Sequence, residues 1–251
     1  MKKIALITGA GTGIGRALCE RLITKNHEVF GVGRRMEPLN QLKKDFGEYV
    51  TPIQADVGMA AGRQKIASAL KKRKINILVH NAAILSPAGP LSNLKRNEWQ
   101  KNLQINLEGP LFLTQKLLSK FQTGTRILHV SSGAAHHSVQ GWAPYCISKA
   151  ALLMSYQCWK EELSQKSVLI GSVKPGVVDT PMQEEIRNLE ENEFPMLQKF
   201  RSFKENNELL DPKLVSRFIT WLLLESEPEL YSSQDHDVRD ETLKPLWIDF
   251  Q

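Results

Sequence analysis

Tyr145 and Lys149 stand four residues apart in the run Tyr145-Cys146-Ile147-Ser148-Lys149. On a helix this spacing puts both side chains on one face, so a phenol and an ammonium can enter the same cleft. Such a pair is common by chance, but Ser131-Ser132 ends a β-like run shortly before it. The end of a strand is where an open α/β sheet places its ligands. A hydroxyl, a phenol and an ammonium would then converge at one carbonyl, able to stabilise charge on its oxygen and to protonate it. His136-His137 follow in the next loop. Adjacent side chains point apart and no carboxylate or cysteine motif accompanies them, so substrate-loop polarity or plain exposure is expected rather than a metal pair.

A second group is the loop Thr8-Gly9-Ala10-Gly11-Thr12-Gly13-Ile14-Gly15, between an apolar run and an amphipathic stretch. Glycines there let the backbone turn tightly and approach a pyrophosphate, which the N-terminus of the following helix attracts. A purely structural turn is the alternative. The position after the first strand of an alternating chain favours the dinucleotide. The next strand ends in Gly31-Val32-Gly33-Arg34-Arg35, with no acidic residue to hold the ribose hydroxyls of NAD. Guanidinium groups match phosphate geometry, so a 2′-phosphate is the natural partner and NADP (NADPH) the expected cofactor. The plainer alternative, above all for Arg35, is a solvated arginine.

These residues need elements to hold them. Short apolar runs at 3–7, 28–32, 50–53, 75–79, 126–130 and 168–173 read as strands. Helix-like segments lie at 14–25, 37–46, 64–72, 98–121 and 143–163. The long 98–121 stretch is expected to kink at Gly109-Pro110. Runs that are continuous rather than alternating imply burial on both faces. The fold expected is therefore α/β: a single doubly wound Rossmann-type domain over 1–251, with a parallel sheet and helices on both faces. Only residues 181–211 depart from the pattern. They are charged and have one interior proline, Pro195, with Met182, Ile186, Leu189, Phe194, Met196 and Leu197 interspersed. An inserted helical pair forming a substrate lid is expected there.

The chain has 251 residues, of which 41% are hydrophobic and 24% charged, which excludes wholesale disorder. Its formal charge of +6 is spread among acidic residues, as in Trp159-Lys160-Glu161-Glu162, so a mildly basic surface is expected rather than a nucleic-acid partner. No stretch reaches the ~18–20 apolar residues of a membrane span. The apolar start stops at the glycine cluster without a small-residue cleavage site. Cys19, Cys146 and Cys158 are odd in number and widely spaced, which suits a reducing compartment. A cytoplasmic location follows as the expectation.

Over essentially its whole length the chain resembles a short-chain dehydrogenase/reductase. The resemblance rests on the loop 8–15, Asp56 after the third strand, Asn81-Ala82 after the fourth and Asn106 in the long helix. Ser132, Tyr145, Lys149, Pro175-Gly176 and Thr180 complete it, in the right order and on the right elements. The stretches Trp142-Ala143-Pro144-Tyr145-Cys146 and Asp179-Thr180-Pro181-Met182-Gln183, with Asp237-Val238-Arg239-Asp240 near the end, are similar to the sepiapterin reductase and benzil reductase branch.

The resemblance implies NADPH-dependent reduction of a small-molecule carbonyl, a diketone or a pterin side-chain ketone. Tyr145 would donate a proton to the developing alkoxide. Lys149 and the oxidised nicotinamide would draw its pKa down from the free value near ~10. Ser132 would bind the substrate oxygen. Asn106 would hold a water linking Lys149 to solvent, or else serve as a helix-kink or packing amide. Asp56 would accept from the adenine amino group, or else close an Asx turn. Thr180 would bind the nicotinamide amide, and Val57, Pro175 and Val178 would line the cofactor with the residues above. Asp240 would grip a polar substrate. Relatives of this kind form dimers or tetramers, through the helices at 98–121 and 143–163.

Three departures stand out. His80-Asn81-Ala82-Ala83 replaces the usual Asn-Asn-Ala-Gly, Thr12 replaces a basic residue, and the glycine-rich C-terminal ending is missing. A reductase acting on a sugar, steroid or acyl substrate is one rival reading. A non-catalytic NADP sensor is the other, but it has no need of Asn106, Ser132, Tyr145 and Lys149 together.

Overall fold

In the run from Ile4 to Ile7 every residue is at most 5% exposed, because alternate side chains enter two different cores. Ala5 and Ile7 pack with Leu18, Leu22 and Phe218, whereas Ile4 and Leu6 pack with Ile66, Leu113 and Leu117. The sheet that separates these cores explains why the strands read as unbroken apolar runs. The computed structural model describes residues 2–250.

The strands are β1 (Lys3–Thr8), β2 (His27–Gly33), β3 (Val50–Gln54), β4 (Ile75–His80), β5 (Phe121–Val130), β6 (Leu169–Lys174) and β7 (Asp235–Asp237). They pair in parallel in the order β3-β2-β1-β4-β5-β6-β7. The order reverses between β1 and β4, which opens a crevice at their carboxyl ends. The helices are α1 (Gly13–Thr24), α2 (Met36–Phe46), α3 (Ala60–Ala69), α4 (Arg96–Leu103), α5 (Gly109–Leu117), α6 (Ala143–Ser164), α7 (Pro181–Arg187), α8 (Leu197–Glu205), α9 (Pro212–Leu224), α10 (Pro228–Tyr231) and α11 (Lys244–Trp247). This is the doubly wound α/β fold expected. Among the described residues no helix is long and apolar enough to cross a membrane.

The long helix is interrupted one turn before the expected place. A π-helical turn, Gln104–Glu108, separates α4 from α5. Pro110 sits in the first turn of α5, where a missing N–H does no harm. The ladder opens instead where Asn106 sends its side chain out to the backbone of Ile84. The C-terminal elements α9 to α11 and β7 complete the sheet and one core. Strand β7 is only Asp235-His236-Asp237 and carries no apolar run by which to recognise it.

Candidate active site

The glycine loop joins β1 to α1 and is locked from β4. Thr8 Oγ1 accepts from the backbone N–H groups of Asn81 (3.0 Å) and Ala82 (3.1 Å), and Asn81 Nδ2 donates to the carbonyls of Thr8 and Gly9. Asn81 therefore shapes the loop. Gly9 and Gly13 have φ of +69° and +54°, where side chains are strained. A Cβ on Gly9 would lie 2.7 Å from Asn81 Nδ2, and one on Gly15 would lie 2.1 Å from the Gly9 carbonyl oxygen. Gly15 thus permits close helix–strand packing. Thr12 caps α1 in extended conformation without a side-chain bond to the helix, which leaves the positive end of α1 open to an anion.

One cavity of about 910 Å³ runs from this loop across the strand ends. Gly9, Gly11, Thr12, Gly13, Ile14, Arg34, Arg35, Asp56, Val57, Asn81, Ala82, Pro175, Gly176, Val178 and Thr180 line it, together with Ser132, Tyr145 and Lys149. Two expected site residues stand outside it. Gly15 is buried beneath the loop. Asn106, 1% exposed, accepts from Ile84 N and donates to Ile84 O, with Asn102 Oδ1 and Ser148 Oγ within 3.1 Å of its Nδ2. Of the two readings for Asn106 these bonds describe the kink amide, and they fix the loop after β4 against α6. Asn102, one helical turn earlier, bonds the carbonyls of Leu85 and Ser86 and was not singled out from the sequence. For Asp56, Oδ1 accepts from Gly58 N at 2.9 Å, which closes an Asx turn at the cavity wall.

Burial sets the electrostatics of Lys149 and Tyr145. Lys149 is 3% exposed and its Nζ donates to Val130 O at 2.8 Å. Desolvation pulls its pKa down to about 8, against the opposing charge of Asp235. Tyr145 is pushed up to about 12 by burial, with the Ser132 hydroxyl pulling the other way. The lowering expected from Lys149 does not appear: burial is the largest influence on the phenol, and the Ser132 hydroxyl is what opposes it. The ammonium lies 5.6 Å from the centre of the Tyr145 ring, and burial dominates. A phenol that stays protonated at neutral pH is a proton donor.

The far end of the cavity is apolar. Trp142 stacks on Phe194 at 4.7 Å and meets Phe200 edge-on at 5.1 Å, closing a third core with Tyr145, Ile186 and Leu197. Met182, Ile186, Met196, Phe200 and Phe203 from α7, α8 and their connection form its wall. Phe200 and Phe203 were not singled out from the sequence; their three-residue spacing on a helix was the available signal.

A family profile described as short chain dehydrogenase matches residues 3–191. The chain belongs to the short-chain dehydrogenase family. A benzil reductase ((S)-benzoin forming) of Bacillus cereus is 29% identical over 233 residues, covering 88% of this chain and 94% of that protein. A second benzil reductase ((S)-benzoin forming), from Saccharomyces cerevisiae, is 30% identical over 263 residues, covering 98% and 99%. The crystal structure of another short-chain dehydrogenase/reductase from Saccharomyces cerevisiae superposes with a TM-score of 0.88 at 30% identity, covering 98% of this chain and 99% of that one.

Against the family pattern, His80 turns inward. Its Nε2 lies 2.8 Å from Thr114 Oγ1 and its ring meets His129 edge-on at 5.2 Å, so the loop is left to Asn81. Asp240 is spent locally, accepting from the N–H and hydroxyl of Thr242, and Arg239 lines the cavity in its place. His136 and His137 part company. His137 lines the cavity, while His136 Nε2 lies 2.7 Å from Asp235 Oδ2. Among the described residues no cluster of three or more His, Cys, Asp or Glu side chains is placed to hold a metal.

Proposed function

We propose that this short-chain dehydrogenase is an NADPH-dependent reductase of a bulky, largely apolar ketone of the 1,2-diketone class. The observation that carries the reading is that Ser132, Tyr145 and Lys149 face the same cavity as the glycine loop and Arg34-Arg35. A dinucleotide fits that loop: its glycines leave a cradle that a Cβ would fill, and the α1 N-terminus, whose cap residue Thr12 makes no side-chain bond to it, suits a pyrophosphate. Arg34 and Arg35 would hold a 2′-phosphate, and Thr180, beside Gly13, would hold the nicotinamide amide.

When bound, NADPH supplies the hydride that reduces the carbonyl carbon. Tyr145 donates its phenolic proton to the carbonyl oxygen, and its burial keeps that proton in place until the oxygen becomes basic. Ser132 donates a hydrogen bond to the same oxygen and stabilises its charge. Lys149, anchored on Val130, stabilises the phenolate that remains. Trp142, Phe200, Phe203 and the methionines around them favour an aryl or branched substrate over a polar pterin. The turning-away of Asp240 and the two benzil reductase relatives support the same choice.

Residues 181–211 serve as a lid over this substrate. Phe112 on α5 and Ile147 and Met154 on α6, exposed by 39%, 45% and 58%, support self-association through those helices. Oxidation of NADPH with a panel of aryl diketones, simple ketones and pterins tests the reading. Turnover confined to pterins, or absent throughout, would overturn it.

A further inference from the structure

A polar row crosses the sheet beneath the catalytic lysine. The strand register sets His80 of β4 beside His129 of β5, His129 beside Ser172 of β6, and Ser172 beside Asp235 of β7. Residues paired in this way share one face of the sheet. The Asp235 side chain is only 5% exposed, yet both its oxygens are held. Ser172 Oγ donates to Oδ1 at 2.7 Å, and His136 Nε2 lies 2.7 Å from Oδ2. His136 itself is 42% exposed and forms the solvent end of the row.

Lys149 approaches the same strands from α6 and bonds the carbonyl of Val130, the residue after His129. A buried ammonium is unfavourable without a nearby anion. Tyr145, on its own helix, is protonated, and His129 from β5 is neutral because burial holds its pKa down to about 3. The charge that supports the ammonium comes from Asp235 on β7, whose hydrogen-bond partners are Ser172 and His136 rather than Lys149. It acts through a buried region, where attraction is less screened than at the surface. Tyr156 of α6 and His236 of β7 also lie within its influence; the Tyr156 hydroxyl is committed to Ser232 O at 2.8 Å, and His236 Nε2 lies 2.8 Å from Leu230 O.

We propose that Asp235 is a positioning residue for Lys149: its buried carboxylate, fixed by Ser172 and His136, keeps the ammonium charged and seated on Val130. The proposal rests on the role given to Lys149 above. It makes the edge strand β7, which touches neither cofactor nor substrate in that reading, part of the proton-donating apparatus.

The test is a titration of Lys149 by NMR in the full-length chain, labelled with carbon-13 at the lysine ε position. The signal is assigned by its loss in Lys149→Met. In Asp235→Asn the midpoint should fall by about half a unit or more, and Asp235→Glu should recover most of the change. The alkaline limb of the kcat/KM profile should move by the same amount. A smaller shift in a folded Asp235→Asn chain overturns the proposal and leaves Asp235 a structural clamp. If Asp235→Asn does not fold, Ser172→Ala is titrated instead, since it removes one of the two holds. A lowered midpoint there supports the proposal and an unchanged one overturns it. The titration needs no substrate, so a chain that reduces no carbonyl defeats the functional reading and still decides this one.

Discussion

Lys149 Nζ donates to the carbonyl oxygen of Val130 at 2.8 Å. Val130 is the last residue of β5, and Ser131-Ser132 follow it directly. One strand end therefore seats the ammonium and presents the serine hydroxyl, while the helical turn from Tyr145 to Lys149 brings the phenol near both. The geometry depends on how α6 packs against the end of β5 and the turn Gly133–Ala135 that Ser132 caps, which suits a site that must hold these groups closely.

That burial gives a pH signature. With Lys149 lowered to about 8, kcat/KM, which reports the free enzyme, should be level below about pH 7 and fall through pH 8 as the ammonium deprotonates. The stability effect has the opposite slope. Between about pH 8 and the ordinary lysine value of ~10.4 the unfolded chain binds a proton that the folded chain has released, so this group makes stability rise with pH in that window. Melting curves of wild type and Lys149→Met across pH 7–10 should diverge accordingly, and parallel curves would mean that the lysine is not desolvated.

Tyr145→Phe should lower kcat by roughly 10²–10⁴-fold and leave NADPH affinity nearly unchanged. The ring preserves the packing against Trp142, 6.1 Å away, and only the proton donor is lost. Retention of more than about a tenth of wild-type kcat would remove Tyr145 from the donor role.

Gly15→Ala should destabilise the chain by about 1–3 kcal/mol, because the new methyl meets the Gly9 carbonyl oxygen at 2.1 Å. Gly33→Ala makes an informative control. Its nearest contacts are Leu39 carbons at 3.6 Å, so thermal melting should change little. Equal losses in the two variants would contradict the account of the loop.

The segment 181–211 meets the rest of the chain through the packing of Phe194 and Phe200 on Trp142 and, at its rim, through exposed polar bonds, Lys204 to Asp179 at 2.6 Å and Ser86 to Glu185 at 2.7 Å. The rim bonds are weak, so they give way at little cost when the segment shifts on the aromatic cluster. Hydrogen exchange in the segment should slow when NADPH and a diketone bind together, and more so than with NADPH alone. Exchange unchanged across the whole segment would exclude a lid.

What the sequence disclosed was what local spacing encodes. The four-residue step from Tyr145 to Lys149, the glycine loop between strand and helix, and the buried runs of the first six strands all follow from periodicity and backbone chemistry. The kink was misplaced because Pro110 is a strong local signal, whereas Asn106 acts through a partner, Ile84, that only the fold brings near. The pairing of His136 with Asp235 spans 99 positions and ends on a three-residue polar strand, so no local pattern could announce it. The same holds for Arg239, which took the place expected for Asp240.

The most direct measurement compares kcat/KM for NADPH and NADH with an aryl diketone, in wild type and Arg34→Ala. A charge-assisted hydrogen bond is worth about 1.5–3 kcal/mol, so NADPH should be preferred roughly 10–150-fold. Arg34→Ala should erode that preference by raising KM for NADPH alone, with a smaller effect at high salt. Carbonyl-dependent oxidation of NADPH with this preference is the predicted result. Equal use of NADH, or no oxidation of either nucleotide with any carbonyl, would contradict it.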